Sequence, residues 1–230
     1  MNETEMRFAE ELGQLLGISL TGREATEWLK ENAGPYRELM TRYRCAMMEV
    51  ETKFRVLSEE LSLGDDRNPI ETVKVRLKKP ESILNKLSRN GYPMTVESIE
   101  QNINDIAGVR VICSFSSDIY MLADSLLKQD DVLLLQKKDY IAEPKPNGYR
   151  SLHLIIATPI FLHNSKRLMK VEVQLRTLAM DMWASLEHKL RYKKNAASAE
   201  MAAELLACAE KSAEIDRRME KIYSGIYRTE

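Results

Sequence analysis

Hydrophobic residues in the first third of the chain recur at intervals of three and four positions. Between residues 35 and 61 they form one continuous stripe, which predicts a long amphipathic helix. The segment 64–69 is rich in Gly, Asp, Asn and Pro, and it predicts the end of that helix. Further helices are predicted at 81–89, 95–103, 117–128 and 178–192.

Alternation of apolar and polar residues predicts β-strands in the middle of the chain. The predicted strands are 73–78, 109–113, 131–136, 152–158 and 169–176. The segment 137–149 contains two prolines and a glycine, so we expect a loop there. Because strands and helices interleave with hairpins, the pattern predicts an α+β fold, close to α/β, around a mixed five-stranded sheet.

The residues after position 195 carry a different pattern. Their apolar and small side chains step alternately by four and three positions, which is typical of a coiled-coil or bundle seam: Met201, Leu205, Cys208, Ser212, Ile215, Met219, Ile222 and Ile226. This seam predicts a contact with another chain. We therefore expect a helical N-terminal region (1–68), a central domain (69–194) and a C-terminal oligomerisation helix (195–230).

Composition excludes several classes of protein. The 230 residues include 34 Lys and Arg against 35 Asp and Glu, so the net charge is −1, and a general binder of nucleic acids or membrane surfaces is not expected. Cys45, Cys113 and Cys208 are widely scattered, which indicates neither a disulfide framework nor a zinc site. The acidic N-terminus does not resemble a signal peptide, and no apolar run is long enough to span a bilayer, so we expect a cytoplasmic protein.

Positive charge is nevertheless concentrated between residues 74 and 89. Six basic residues and one acidic residue give this stretch a local net charge of +5. The predicted strand would present Arg76 and Lys78 from one face, and the next helix would begin near Ser82, with Lys86 one turn further along. Because free N–H groups at a helix N-terminus attract phosphate, the stretch predicts an anion site. A solvated basic face would account for the same charges.

Two carboxylates could complete such a site. Glu172 shares a strand face with Gln174 and Arg176, which favours a solvated or ligand-binding face over a core position. Asp105 precedes a predicted strand, where carboxylates often only accept backbone hydrogen bonds. If the two converge, they form a hard oxygen site suited to Mg²⁺, which takes one or two carboxylates and completes its coordination with phosphates and water.

A possible base-binding surface follows the predicted loop. Tyr149, Ser151 and His153 alternate on one face, which would place an aromatic ring beside two polar groups, although an ordinary sheet rim has the same pattern. The three histidines are dispersed and no nucleophile motif is present, so covalent catalysis is not expected. The nucleotide-binding signatures GxxxxGK[ST] and GxGxxG are also absent from the sequence.

Five stretches of the chain, in their order and spacing, resemble the small alarmone synthetases, single-domain members of the RelA/SpoT-homologue family: RLKKPESILNKL (76–87), NDIAGVRVIC (104–113), KDYIAEPKPNGYRSLH (138–153), VEVQLRT (171–177) and MWASLEHKLRYK (182–193). Members of this family make the stringent-response alarmones pppGpp and ppGpp. They transfer pyrophosphate from ATP to the 3′-hydroxyl of GTP or GDP and release AMP. The resemblance implies the same GTP diphosphokinase activity for the domain at 69–194, a mostly antiparallel, nucleotidyltransferase-like sheet, and a homotetramer formed through helical arms.

The resemblance also implies a role for individual residues. Asp105 and Glu172 would hold Mg²⁺ as the cofactor, and Glu172 would in addition be the general base for the attacking 3′-hydroxyl. Arg76 and Arg110 would sandwich the adenine of ATP between their guanidinium planes. Its phosphates would contact Lys78, Ser82 and Lys86. Tyr149 would stack on guanine, and the acceptor side would also include Lys138, Lys145, His153, Gln174 and Arg176.

Two features depart from the family pattern. The His-Asp motif of the hydrolase domain in long relatives is absent, so hydrolysis of the alarmone is not expected. Asp181 stands where the resemblance suggests an amide that reads guanine, and residues 136–139 read QKKD, so the preference between GDP and GTP is open. A non-catalytic nucleotide- or RNA-binding module and a nucleotidyltransferase that releases pyrophosphate are the alternatives. The two carboxylates disfavour the first, because they repel phosphate unless a metal intervenes.

Overall fold

A computed structural model describes residues 23–64, 67–193 and 199–227. In chain order the elements are α1 (Arg23–Gly64), β1 (Ile70–Leu77), α2 (Pro80–Arg89), α3 (Val96–Asn102), β2 (Ala107–Cys113), α4 (Ser116–Leu127), β3 (Leu133–Asp139), β4 (Leu152–Leu162), β5 (Ser165–Thr177), α5 (Leu178–Lys193) and α6 (Ala199–Tyr227). Across these ranges, none of the helices is both long and apolar enough to cross a membrane.

The five strands form one sheet in the order β1-β2-β5-β4-β3. Strands β2 and β5 run parallel, and the other three neighbouring pairs are antiparallel. This arrangement confirms the predicted α+β fold with a mixed, mostly antiparallel five-stranded sheet. It also brings β5, which carries Glu172, to the centre of the sheet between β2 and β4.

Helix α1 crosses the sheet and contacts β1, β2, β4 and β5. Its apolar stripe buries Tyr43, Val50 and Phe54, and the sheet contributes Val111 and Val173 to the same core. Burial of side chains of this size contributes roughly 1.5–3 kcal/mol each, so the core, and not helix propensity, holds α1 in place. With one face of the sheet devoted to this contact, the polar side chains of the central strands are gathered on the other face.

Several predicted boundaries are wrong in detail. Helix α1 spans Arg23–Gly64 and so includes residues before position 35, where the predicted helix starts; the first 22 residues of the predicted N-terminal region lie outside the described residues. Strand β3 extends to Asp139, because Lys137 and Lys138 pair with β4, so the predicted loop begins three residues later than expected. Strand β5 begins at Ser165, since a tight turn pairs Leu162 with Ser165.

The predicted C-terminal seam differs in exposure along its length. Ser212 is buried and its hydroxyl donates to the carbonyl oxygen of Ala179, 3.0 Å away, so this part of α6 contacts its own domain. Four later members of the seam are exposed: Ile215, Met219, Ile222 and Ile226. The predicted seam therefore divides between an intramolecular contact and an exposed apolar stripe.

Candidate active site

One row of polar side chains crosses all five strands. The strand registers place Lys74 beside Arg110, Arg110 beside Gln174, Gln174 beside His153, and His153 beside Lys138. Residues directly opposite each other on neighbouring strands share a face of the sheet. The sheet therefore brings predicted ATP-side and GTP-side residues onto one surface. Arg110 and Gln174, for example, are direct neighbours although they lie 64 positions apart in the sequence.

The adjacent row contains the central carboxylate. Arg76 lies opposite Gly108, and Gly108 lies beside Glu172. Because Gly108 has no side chain, the space between Arg76 and Glu172 stays open as a cavity of about 400 Å³. Of the predicted site residues, the cavity wall includes Arg76, Lys78, Asp105, Arg110, Glu172 and Gln174. No local pattern selects Gly108, since its effect depends on the strand pairing.

Asp105 lies two residues before the start of β2, between two lysines. Lys78 Nζ donates to one carboxylate oxygen at 2.7 Å, and Lys86 Nζ donates to the other at 2.9 Å. Burial alone would raise the pKa of Asp105, but the hydrogen bonds and charges of the two lysines outweigh it and hold that pKa below its usual value. Asp105 is therefore an ionised side-chain acceptor and not merely a backbone acceptor in a turn.

A basic groove of about 600 Å³ extends from this point along α2. It is lined by the predicted residues Lys78, Ser82 and Lys86 and by three residues that the sequence reasoning did not select: Asn85, Arg89 and Asn90. Pro80 begins α2, and the residue before it, Lys79, makes no side-chain cap to the helix N-terminus. The amide groups of the first turn thus add to the attraction of the groove for anions.

Glu172 is held by two neighbours on the sheet. The amide of Gln174 donates to Glu172 Oε2 at 2.8 Å, and His153 Nδ1 lies 3.2 Å from Glu172 Oε1. Burial favours the neutral acid, but the contacts with His153 and Gln174 outweigh it, so the pKa of Glu172 lies below its usual value. Both predicted catalytic carboxylates are thus ionised in the same cavity.

Tyr149 lies beside His153 as the sequence pattern predicted. Arg176 donates to the Tyr149 hydroxyl at 2.6 Å, and that hydroxyl is 2.8 Å from His153 Nε2. Because the hydroxyl accepts from Arg176, its own proton is assigned to His153 Nε2, which leaves Nδ1–H to donate to Glu172. A directed series of hydrogen bonds therefore runs from Arg176 through Tyr149 and His153 to Glu172.

The remaining acceptor-side residues lie beside Tyr149 or beside His153. Lys145 Nζ lies 4.8 Å from the centre of the Tyr149 ring, and Lys138 is the cross-strand neighbour of His153. Ser151, which the sequence pattern placed beside Tyr149 as a polar group of the surface, is instead fully buried. Its hydroxyl donates to the carbonyl oxygen of Leu175 at 3.1 Å, so it stabilises the sheet and does not face the site.

Asp181, in the first turn of α5, has a role that the sequence did not predict, although the resemblance put it at the position of a guanine-reading amide. Its carboxylate accepts from Lys74 at 3.0 Å and from Arg110 and Arg176 at 3.2 Å each. Burial and the nearby Arg176 charge both lower the pKa of Arg110, so two guanidinium groups meet here around one counter-ion. The sequence feature that could have indicated this role is the acidic residue itself, because the resemblance suggested an amide at this position.

The residues present fit a hard divalent cation. Within the described ranges, no cluster of three or more His, Cys, Asp or Glu side chains is placed to hold a metal. Asp105 and Glu172 line one cavity, however, and Asp105 is close enough for its charge to act on Glu172. Mg²⁺ needs only one or two protein carboxylates when phosphates and water supply the rest, so this donor set suits Mg²⁺ better than zinc.

The chain resembles known proteins over this same region. Residues 75–197 match the family model described as a region found in RelA / SpoT proteins. The chain is 48% identical to GTP pyrophosphokinase YwaC of Bacillus subtilis over 178 residues, which is 77% of this chain and 85% of the relative. It is 38% identical to GTP pyrophosphokinase YjbM of the same organism over 158 residues, 69% of this chain and 74% of the relative.

Solved structures agree with the sequence matches. Small alarmone synthetase 2 of Bacillus subtilis superposes with a TM-score of 0.76 at 44% identity, covering 83% of this chain and 98% of that one. Small alarmone synthetase 1 of Bacillus subtilis, bound to its product pppGpp, gives a TM-score of 0.78 at 34% identity, covering 84% and 98%. With the family model spanning more than half of the sequence and the fold shared along nearly all of the solved relatives, this chain belongs to the RelA/SpoT family.

Proposed function

We propose that the protein is a GTP pyrophosphokinase that transfers pyrophosphate from ATP to the 3′-oxygen of GTP or GDP and makes pppGpp or ppGpp. The observation that carries this function is the pair of ionised carboxylates, Asp105 and Glu172, in a cavity between a basic groove and the Tyr149 cluster. A site for two nucleotides needs such separate cationic and aromatic regions on either side of the reacting atoms. The curated relatives named GTP pyrophosphokinase, and the relative bound to pppGpp, support the same reaction.

On the donor side, Arg76 and Arg110 line the cavity and would stack on adenine. Lys78, Ser82 and Lys86 line the groove and would hold the phosphates, with the first-turn amides of α2 beside them. Mg²⁺ bound by Asp105 and Glu172 would neutralise phosphate charge. These residues would hold the β-phosphorus of ATP in line with the acceptor oxygen, and AMP would leave.

On the acceptor side, the Tyr149 ring would stack on guanine, and Gln174 and Arg176 would hold the nucleotide from β5. Lys145 and His153 lie beside the same ring, and Lys138 is the cross-strand neighbour of His153; these three residues would contact the rest of the acceptor. Glu172 would accept the proton of the 3′-hydroxyl as the new P–O bond forms. Its low pKa keeps it ionised at neutral pH, and His153 fixes the orientation of its carboxylate.

A product assay tests this function against the alternatives. The purified chain would be incubated with ATP, Mg²⁺ and GTP or GDP, and the nucleotides resolved by anion-exchange chromatography. We expect AMP and a 3′-pyrophosphorylated guanosine nucleotide in equal amounts. Release of pyrophosphate would indicate a nucleotidyltransferase, and binding without turnover would indicate a non-catalytic nucleotide- or RNA-binding module.

The Glu172→Gln variant assigns the reaction to this site. It keeps the size of the side chain but removes the charge and the proton acceptor, so alarmone synthesis should fall to background. Glu71→Gln is a matched control, because Glu71 is an exposed residue of β1 whose carboxylate accepts from Ser114 outside the cavity. Near-normal synthesis by Glu172→Gln would remove Glu172 from the proposed mechanism.

We also propose that the chain forms a homotetramer in which α5 and α6 contribute to the contacts. Leu178, Met182, Leu186 and Leu190 recur every fourth residue on α5, and each is at least half exposed. Together with the apolar stripe of α6 they make eight large apolar side chains that are exposed on these two helices, and contiguous exposed apolar surface of this kind marks protein–protein contacts. Light scattering should give four times the monomer mass, and Met219→Glu should lower it. A monomeric wild-type mass would contradict this proposal.

The biological setting follows from the products. Alarmones made from ATP and GTP point to stringent-response signalling, and nucleotide substrates together with the free cysteines Cys45, Cys113 and Cys208 favour a cytoplasmic location.

A further inference from the structure

The turn that carries Tyr149 lies directly against the C-terminal helix. Gly148 has a φ of +85°, and a Cβ atom built on it would lie 2.4 Å from the Cβ of Ala209 and 3.2 Å from Leu206 Cδ1. Ala209 itself is only 5% exposed. The small side chain at 209 and the missing side chain at 148 are therefore both needed for α6 to lie so close to the turn.

Helix α6 is fixed on the domain on either side of Ala209. Before it, Trp183 Nε1 donates to the carbonyl oxygen of Leu205 at 2.9 Å. After it, Ser212 donates to the carbonyl of Ala179 at 3.0 Å, and Thr177 donates to Asp216 at 2.7 Å. The helix cannot move outward at Ala209 without breaking these bonds, so a larger side chain there would push the turn and not the helix.

Hydrogen bonds connect the residues of the turn to one another. Gly148 N–H donates to the carbonyl of Lys145 at 2.8 Å, and Lys145 N–H donates to the carbonyl of Tyr149 at 3.1 Å. The Asn147 side chain accepts from Tyr149 N–H at 3.2 Å and donates to Glu187 of α5 at 3.3 Å. A displacement at Gly148 is therefore passed to Tyr149, the next residue.

We propose that Ala209 is a positioning residue for the acceptor nucleotide: through its contact with Gly148, α6 sets the place of the Tyr149 ring. The inference rests on the proposed function, in which Tyr149 stacks on guanine. It gives α6 a role inside each protomer, in addition to any contact between protomers. Arg76, Lys78 and Lys86, the proposed ATP contacts, are carried by β1 and α2 away from this contact, so ATP binding should be affected less than acceptor binding.

The size of the effect follows from the geometry. Apolar carbon atoms approach to about 3.5–4.0 Å, whereas a methyl group at position 148 would lie 2.4 Å from Ala209 Cβ, so it would force a shift of about 1 Å, and we expect a shift of the same order when side-chain volume is added at 209. Misplacement of a positioned group by about 1 Å can reduce turnover about a hundredfold. Ala209→Val adds two methyl groups at the contact and should raise the KM for GTP and GDP about tenfold or more, with the KM for ATP changed less than about twofold.

Ala207→Val is the matched control, because Ala207 lies two residues away on the exposed side of the same helix and carries the same change in helix propensity. Both variants would be assayed with ATP varied at saturating GTP and GTP varied at saturating ATP, and their masses compared by light scattering. Ala207→Val should behave as the wild type. Equal acceptor KM values for the two variants, or an equal rise in the KM for ATP in Ala209→Val, would overturn the proposal.

A double-mutant cycle tests the contact between Gly148 and Ala209 directly. It remains informative if Ala209→Val does not fold. Gly148→Ala introduces both a steric overlap and an unfavourable φ. Adding Ala209→Gly removes the closest overlap, at 2.4 Å, and leaves the backbone strain and the 3.2 Å contact with Leu206 Cδ1. The double variant should therefore bind GTP more tightly than Gly148→Ala alone. No recovery would overturn the proposal. An inactive wild-type chain would instead count against the proposed function.

Discussion

The substitution Asp181→Asn tests whether Asp181 serves as a counter-ion for the surrounding cations or as a group that reads the guanine base. The substitution keeps the shape of the side chain but removes its charge, and it turns one acceptor atom into a donor that faces a cation. Asp181 is 7% exposed and accepts from Lys74, Arg110 and Arg176. Burial acts to raise its pKa, but hydrogen bonding to Lys74 and the surrounding cations outweigh burial and keep the carboxylate ionised.

The magnitude depends mainly on the two guanidinium groups. The Lys74 side chain is 56% exposed, so its ion pair contributes about 0–1 kcal/mol. The side chains of Arg176 and Arg110 are 6% and 30% exposed, and a charge-assisted hydrogen bond contributes roughly 1.5–3 kcal/mol where water is excluded. Loss of the charge should therefore lower the free energy of unfolding by about 2–4 kcal/mol, because Arg110 and Arg176 would then repel each other.

Urea denaturation and steady-state kinetics would measure both consequences. With Arg110 no longer held, the KM for ATP should rise about tenfold, which corresponds to about 1.4 kcal/mol. Asp131→Asn is the control, since it makes the same change in an exposed ion pair with Lys53 and should cost less than about 1 kcal/mol. A stable Asp181→Asn variant with an unchanged KM for ATP and tighter GTP binding would refute the counter-ion role and indicate a base-reading position.

Three further substitutions test other parts of the site and its support. Lys86→Ala should lower kcat/KM by an amount that corresponds to a barrier higher by about 2–4 kcal/mol, since the proposed phosphate-binding cation is lost. The same change at exposed Lys79 should have little effect, and equal losses would contradict a specific phosphate contact. Tyr149→Phe should raise the acceptor KM less than Tyr149→Ala, because the ring is kept and only the link to Arg176 and His153 is lost; identical values would contradict stacking. Burial raises the pKa of Asp216. The protonated Asp216 side chain therefore contributes fully to the free energy of unfolding below the unfolded-state pKa, and this contribution is lost as pH rises through the folded-state pKa. Asp216→Asn should thus melt at or above the wild-type temperature near pH 7, an advantage that vanishes near pH 4, and a lower melting temperature at neutral pH would contradict this sign.

Local patterns were sufficient to predict part of the site. Alternation along β5 placed Glu172, Gln174 and Arg176 on one face, and the structure joins them by hydrogen bonds at 2.8 and 3.1 Å. The basic stretch predicted a strand followed by a helix N-terminus, and the groove of Lys78 and Lys86 is built in that way. Such predictions succeed because residues two apart on a strand, or on successive elements, are neighbours whatever the rest of the fold does.

Other parts of the site depend on contacts that no local pattern contains. Arg110 lies beside Gln174 only because β2 and β5 are parallel neighbours, and a parallel pair does not follow from either strand's alternation. An acid in the first turn of a helix, such as Asp181, is ordinarily explained by the helix dipole alone. Likewise, a glycine in a turn does not show that an alanine 61 positions later is its neighbour.

The assembled contacts make the donor and acceptor halves of the site interdependent. Arg176 donates both to Asp181, which also holds Arg110, and to the hydroxyl of Tyr149. The same hydroxyl fixes the tautomer of His153 and so the hydrogen bond that orients Glu172. Because one guanidinium takes part in both sets of contacts, a change that frees Arg176 should act together on Arg110, which we propose to stack on adenine, and on Glu172, the proposed base. Substitutions on the two sides should therefore combine non-additively, unlike distant and independent sites.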